Sequence, residues 1–260
     1  MSALDLDLVR RFLALHPPPG ELLMCAITGS HNYGFSSANS DIDIKGIHQA
    51  PTPRVLSLWP GRENHDRLEF FEGVECDLTT NELAQALRLV LKGNGNVLER
   101  IFSPLQVIDS PFLKELRMLT SASLSRASYG HYRGYLGGMQ REHERDGRAK
   151  SLLYSFRVAL TGTHLLRAGE VVADLAVLAP EYGFSDLLEL IAFKRDSDEK
   201  DGAPPALAAA LRGRWPELEQ LLDQARDNSA LPERAPNGEA VDAWLVARRL
   251  DGCGGGAPRL

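Results

Sequence analysis

No apolar run in this sequence approaches the ~20 residues of a membrane-spanning helix, so no membrane role is expected. The start, M-S-A-L-D-L-D-L-V-R-R, lacks a basic stretch followed by an apolar segment, so no signal peptide is expected either. Basic residues are not in excess. The 29 lysines and arginines face 35 acids for a net charge of −6, and no global positive field advertises nucleic acid. Cysteine is scarce: Cys25 and Cys76 lie in apolar strand-like runs, Cys253 in a glycine-rich tail, and no C-x-x-C occurs. That excludes a disulfide scaffold and leaves reduced, buried thiols in a cytoplasmic protein as the expectation. Also absent are G-x-S-x-G, H-E-x-x-H, Walker and Rossmann patterns, and any internal repeat. The glycines at 254–256 sit in the tail, away from any strand–helix junction, and do not read as a phosphate loop.

What is present is an ordinary globular composition, 43% hydrophobic and 25% charged over 260 residues, enough to bury a real core. The most informative stretch is residues 26–48, A-I-T-G-S-H-N-Y-G-F-S-S-A-N-S-D-I-D-I-K-G-I-H. In a strand, side chains alternate faces, so Asp41 and Asp43 share one face while Ile42 and Ile44 anchor the other. Two carboxylates this close repel unless a cation lies between them, and a hard divalent ion such as Mg²⁺ is the usual solution. Upstream, the apolar run 22–27 reads as a buried strand entering Thr28-Gly29-Ser30. A Gly-Ser at a strand end lets the backbone approach phosphate oxygens closely. A phosphate grip followed by paired carboxylates points to metal-assisted phosphoryl or nucleotidyl transfer. On the bland alternative, a solvated strand face follows an ordinary turn.

Gly-Ser, ten residues and then D-I-D-I resembles the signature of the DNA polymerase β superfamily of nucleotidyltransferases. The fuller stretch is similar to one branch, the RNA repair pathway polymerase-β-like family. D-L-T-T-N-E-L at 77–83, L-K-G-N-G-N-V-L-E-R-I-F-S-P at 91–104 and R-A-K-S-L-L-Y-S-F-R at 148–157 look like the same branch. The resemblance covers residues 20–175; Asn32 departs from it where a small residue is expected. It implies an α/β (α+β) core with a mixed sheet flanked by helices, followed by a helical domain closing over a nucleotide. It implies a nucleoside triphosphate substrate, Mg²⁺ or Mn²⁺, and an RNA 3′ end as acceptor. Asp41, Asp43 and a third carboxylate would hold two ions about 3.5–4 Å apart, and Gly29 and Ser30 would hold the β- and γ-phosphates. Asp77 is the choice for the third, completing the metal site and serving as base. It ends an alternating strand immediately before a helix, as in the superfamily. Glu75, on the same face, is the competitor and reads better as a solvated strand residue.

Taken in order, the pattern predicts a helix over 4–16 and strands over 22–28 and 41–48. Short strands are expected over 54–59, 67–72 and 74–78. Thr79-x-x-Glu82 reads as a capping box opening a helix that ends at Gly93, and a short helix spans 96–102. From Ser110-Pro111 onward the pattern is helical, with helices over 121–145, 149–167, 185–194, 205–226 and 240–250. The expected organisation is a catalytic core over 1–108, a helical domain over 109–252 and a flexible tail over 253–260.

Between Arg126 and Arg167 eight basic residues face three acidic ones. A solvated helix face is the commoner origin of such a run. The functional alternative has Lys150 and Arg157, seven apart on one helical face, gripping the triphosphate or an RNA phosphate. Tyr33 is a candidate for stacking on a base, although a loop aromatic more often packs. Asn94 and Asn96 read as helix-terminus residues, and His131 and His143 as surface residues. Two rival functions stay open: a same-fold transferase acting on a protein or small molecule, and a non-catalytic nucleotide- or RNA-binding module.

Overall fold

Five strands, β1 (Glu21–Ile27), β2 (Ile42–Gln49), β3 (Asn64–Phe71), β4 (Val74–Glu82) and β5 (Gln106–Ile108), form one mixed sheet in the order β3-β4-β2-β1-β5. The structure, a computed structural model, describes residues 4–108, 110–197 and 201–251. Strands β2 and β4 run parallel; every other pair is antiparallel. β3 and β4 form a hairpin whose two turn residues, Glu72 and Gly73, both have positive φ, the geometry that matches the right-handed strand twist.

Ile42 and Ile44 point as their alternation requires, into a buried cluster with Cys25, Ile27, Cys76, Leu78 and Val9 and Phe12 of the helix Leu6–Leu15. Asp43, Lys45, Asp77 and Thr79 are therefore left on the opposite face. Cys25 and Cys76 are free and buried, and burial pushes their thiols up to about 12 and about 11.

A second cluster begins on the sheet with Leu23, Met24, Ala26 and Ile47 and continues without interruption through the helical half. Its spine is the helix Ala149–Ala168, buried on almost every side, with Ser128–Asp146, Leu175–Glu181 and Trp215–Asp227 around it. The regions expected as a core over 1–108 and a helical domain over 109–252 thus share one hydrophobic interior. The last helix, Gly238–Asp251, returns to the sheet half: Arg249 pairs with Glu82 and donates to the Ala50 carbonyl at 2.8 Å. The expected tail, with Cys253, lies outside the described residues.

Several local expectations are corrected. Residues 54–59 are not a strand: Pro51 and Pro53 favour the helical turn Thr52–Val55, and Leu56, Leu58 and Trp59 are exposed. Thr79 does not cap a helix, because β4 runs on through Thr80 to Glu82 in register with β2. Glu82 itself caps the helix Leu83–Leu91, accepting from Ala84 N at 2.7 Å. The helix expected from residue 121 starts at Ser128, after a break in which Ser123 bonds the Leu119 carbonyl and Arg126 N bonds Pro232 O. The helix expected over 205–226 divides into Pro205–Gly213 and Trp215–Asp227, since Pro216 lacks an N–H and fits only a first turn. His143 is buried, its Nδ1 against the Arg148 carbonyl at 2.9 Å, and is not a surface residue.

Candidate active site

The parallel register of β2 and β4 pairs Asp43 with Asp77 and Lys45 with Thr79, so two carboxylates stand side by side on adjacent strands. Asp41 lies just ahead of β2, and Gly29 lies against Asp43 from the end of β1. Gly29 has a φ of 62°, and a Cβ there would fall 1.7 Å from Asp43 Oδ2. No other residue type fits that position without moving the carboxylate. The Thr28 N–H donates to the Asp43 carbonyl at 2.9 Å and ties the turn to β2.

Lys45 was missed in the sequence, although its spacing of two from Asp43 puts it on the same strand face. Its Nζ lies 2.8 Å from Asp77 Oδ2 and 3.8 Å from Asp43 Oδ1, so an ammonium stands between the two carboxylates. Lys150 lies beside Asp41, its Nζ 3.9 Å from Asp41 Oδ1. Burial, with Asp41 and Asp77 nearby, still pushes Asp43 up to about 6, against the opposing pull of Lys45 and Lys150. Asp41 Oδ1 is buried without a hydrogen bond.

These features test the fit of a divalent cation. The Asp41–Asp43 pair offers hard oxygen donors of the kind Mg²⁺ or Mn²⁺ takes, and Asp41 Oδ1 has no hydrogen bond, although the Lys45 and Lys150 ammonium groups stand within 4 Å of the pair. Asp77 does not join them as a third ligand in this arrangement, because Lys45 holds its Oδ2. Among the described residues no three carboxylate, histidine or cysteine groups are gathered closely enough to hold a metal. The residues fit an ion on Asp41 and Asp43, and Asp77 would have to exchange Lys45 to approach it. Glu75 is exposed, as a solvated strand residue should be.

A cleft of about 240 Å³ opens beside Asp43, lined by Thr28, Gly29, Lys45, Asn96, Arg100 and Tyr154 among others. Three sequence candidates are placed differently from expectation. Ser30 is buried, its hydroxyl unbonded within the protein, so a phosphate contact requires the 29–32 turn to open. Arg157 is fully buried with its Nη1 2.7 Å from both carboxylate oxygens of Glu99, and it does not present a cation to solvent. Tyr33 donates to Glu99 Oε2 at 3.0 Å, and its ring lies under the Arg157 guanidinium at 4.0 Å. It packs as part of that buried unit, while also bordering the cleft beside Asp43. Asn94 is the helix cap anticipated, accepting from Val97 N at 3.2 Å.

The family model for the RNA repair pathway DNA polymerase beta family matches residues 9–247. The chain belongs to that family. Among its relatives is the uncharacterised protein MJ0002 of Methanocaldococcus jannaschii, 27% identical over 237 residues, covering 88% of this chain and 94% of the other. A looser likeness links it to the crystal structure of a nucleotidyltransferase-like protein from Exiguobacterium sibiricum 255-15, at 12% identity and a TM-score of 0.34. That match spans 84% of this chain and 74% of that one. Family membership makes this a nucleotidyltransferase-like protein of the polymerase β type, and it extends through the C-terminal third, where no motif stood out. No helix among the described residues is long and apolar enough to cross a membrane.

Proposed function

We propose that the protein is a divalent-metal-dependent nucleotidyltransferase that moves a nucleoside monophosphate from a nucleoside triphosphate to an acceptor hydroxyl, with an RNA 3′ end as the acceptor. The observation that carries this is the β2–β4 register, which sets Asp77 beside Asp43 while Gly29 shapes the floor under the same carboxylate. Asp41 and Asp43 would hold Mg²⁺ or Mn²⁺; when bound, such an ion lowers the pKa of the attacking hydroxyl and offsets the phosphate charge. The acceptor oxygen attacks the α-phosphorus, the bond to the bridging oxygen of the β-phosphate breaks, and pyrophosphate leaves. Asp77, released from Lys45, takes the hydroxyl proton on its carboxylate. Lys150 stands at the rim beside Asp41, where a triphosphate oxygen would meet it. Gly29, with no side chain, lets substrate phosphates come close to the backbone.

The test is incubation with each labelled nucleoside triphosphate, Mg²⁺ or Mn²⁺ and a panel of RNA 3′ ends. Label should move onto RNA and be lost in Asp41→Ala and Asp43→Ala. Label appearing on protein or a small molecule would replace RNA as the acceptor, and absence of nucleotide binding would sink the proposal.

A further inference from the structure

Arg100 sits on the helix Gly95–Phe102, whose Asn96 also borders the cleft. The residue is only 6% exposed, yet it lines the cleft beside Asp43. Its Nη1 donates to the Gly46 carbonyl at 3.2 Å and to Asn81 Oδ1, both neutral acceptors, and its Nε is buried with no partner. No carboxylate lies within ion-pair distance of it among the described residues. The other buried arginines among the described residues are paired, Arg157 with Glu99 and Arg249 with Glu82. Burial without a counter-charge pulls Arg100 down to about 10. A buried cation left unpaired costs stability unless an anion completes it. Around it the cleft offers the Lys45 ammonium, the Thr28 and Thr79 hydroxyls and the Asn96 amide, all capable of donating to oxygen.

We propose that Arg100, with Lys45, Thr79 and Asn96, forms a phosphate subsite in this cleft beside Asp43. The proposal takes the cleft as the reaction site from the transferase assignment and adds where a phosphate group is held. Guanidinium–phosphate pairing is charge-assisted and suited to such a pocket. Lys45 has a second role here: an anion drawn to it competes with Asp77 for the ammonium, so filling the subsite loosens Asp77 from Lys45. The phosphate belongs either to the triphosphate tail or to a phosphorylated acceptor end.

The experiment is calorimetric titration of the full chain with inorganic pyrophosphate in buffer containing chelator, so that no metal contributes. Wild type should bind, and Arg100→Gln should bind about tenfold or more weakly while Arg100→Lys retains most of the affinity. Unchanged affinity in a folded Arg100→Gln, or no binding by wild type, overturns the subsite. Should Arg100→Gln not fold, the wild-type protein answers alone. Pyrophosphate must shift the Arg100 Nε–H resonance, and an unmoved resonance overturns the proposal. Displacement of pyrophosphate by a nucleoside triphosphate but not by the monophosphate assigns the subsite to the triphosphate tail. Displacement by RNA ending in phosphate but not in hydroxyl assigns it to the acceptor, and displacement by neither overturns it. Wild-type protein that binds pyrophosphate through Arg100 yet transfers no label removes the transferase assignment alone. Label transfer with equal pyrophosphate affinity in both proteins removes the subsite alone.

Discussion

At the scale of single residues, the site turns on how little room Asp43 has. Gly29→Ala would drive a methyl into its carboxylate and force a left-handed backbone on alanine. Nucleotidyl transfer should fall by about 100-fold, as for other displacements of reacting groups by an ångström. Circular dichroism should show that the fold persists. Charge matters as much as space. His48 is buried with Nδ1 2.8 Å from Thr80 Oγ1, and burial lowers its pKa, outweighing the opposite pull of Glu82. A base lowered in the folded state leaves stability whole above its unfolded value of about 6.5 and loses it as pH falls further. The melting temperature should therefore drop as pH falls below about 6.5, and His48→Gln should make that drop shallower. The D-x-D pair and Gly29 were legible because strand alternation and a strand-end glycine are local signals. Lys45 was legible in principle by the same alternation. Arg157 was misplaced because a seven-residue spacing names a helix face, and nothing local says whether that face meets water or Glu99.

At the scale of elements, the buried unit of Glu99, Arg157 and Tyr33 joins three segments that the sequence separates. One polar group comes from each of Gly95–Phe102, Ala149–Ala168 and the turn after β1. Arg157→Met would leave the Glu99 carboxylate buried with the Tyr33 hydroxyl but no counter-charge and should cost about 3–5 kcal/mol by chemical denaturation, whereas Arg157→Met with Glu99→Leu should recover much of that loss. Strands with clean alternation, β2 and β4, were legible; the three-residue β5 was not, for it is too short to carry a period. The false strand over 54–59 had apolar residues without a partner to bury them. Helix breaks at 123–127 and at Arg214 depend on serine side-chain bonds and a proline ring, which override an otherwise continuous helical pattern.

At the scale of the whole molecule, one interior runs from β1 through Ala149–Ala168 to the helices beyond, and the last helix is tied back to β4 by Arg249 and Glu82. Calorimetric unfolding should accordingly show a single cooperative transition, not one for each half. Arg249→Ala should lower the midpoint through loss of roughly 3 kcal/mol, because it leaves Glu82 covered and unpaired. The change from strand to helix patterning was legible, while the shared interior was not, because long-range packing leaves no period in the sequence. The same ties govern synthesis. Glu99 leaves the ribosome 58 residues before Arg157, and Glu82 167 residues before Arg249. Until those arginines emerge, closing the sheet half would bury two carboxylates without their counter-charges, so the sheet half gains its full stability only late in synthesis. A chain that stops before the final helix should therefore be cleaved faster by added protease than the full chain, because Glu82 is left without Arg249.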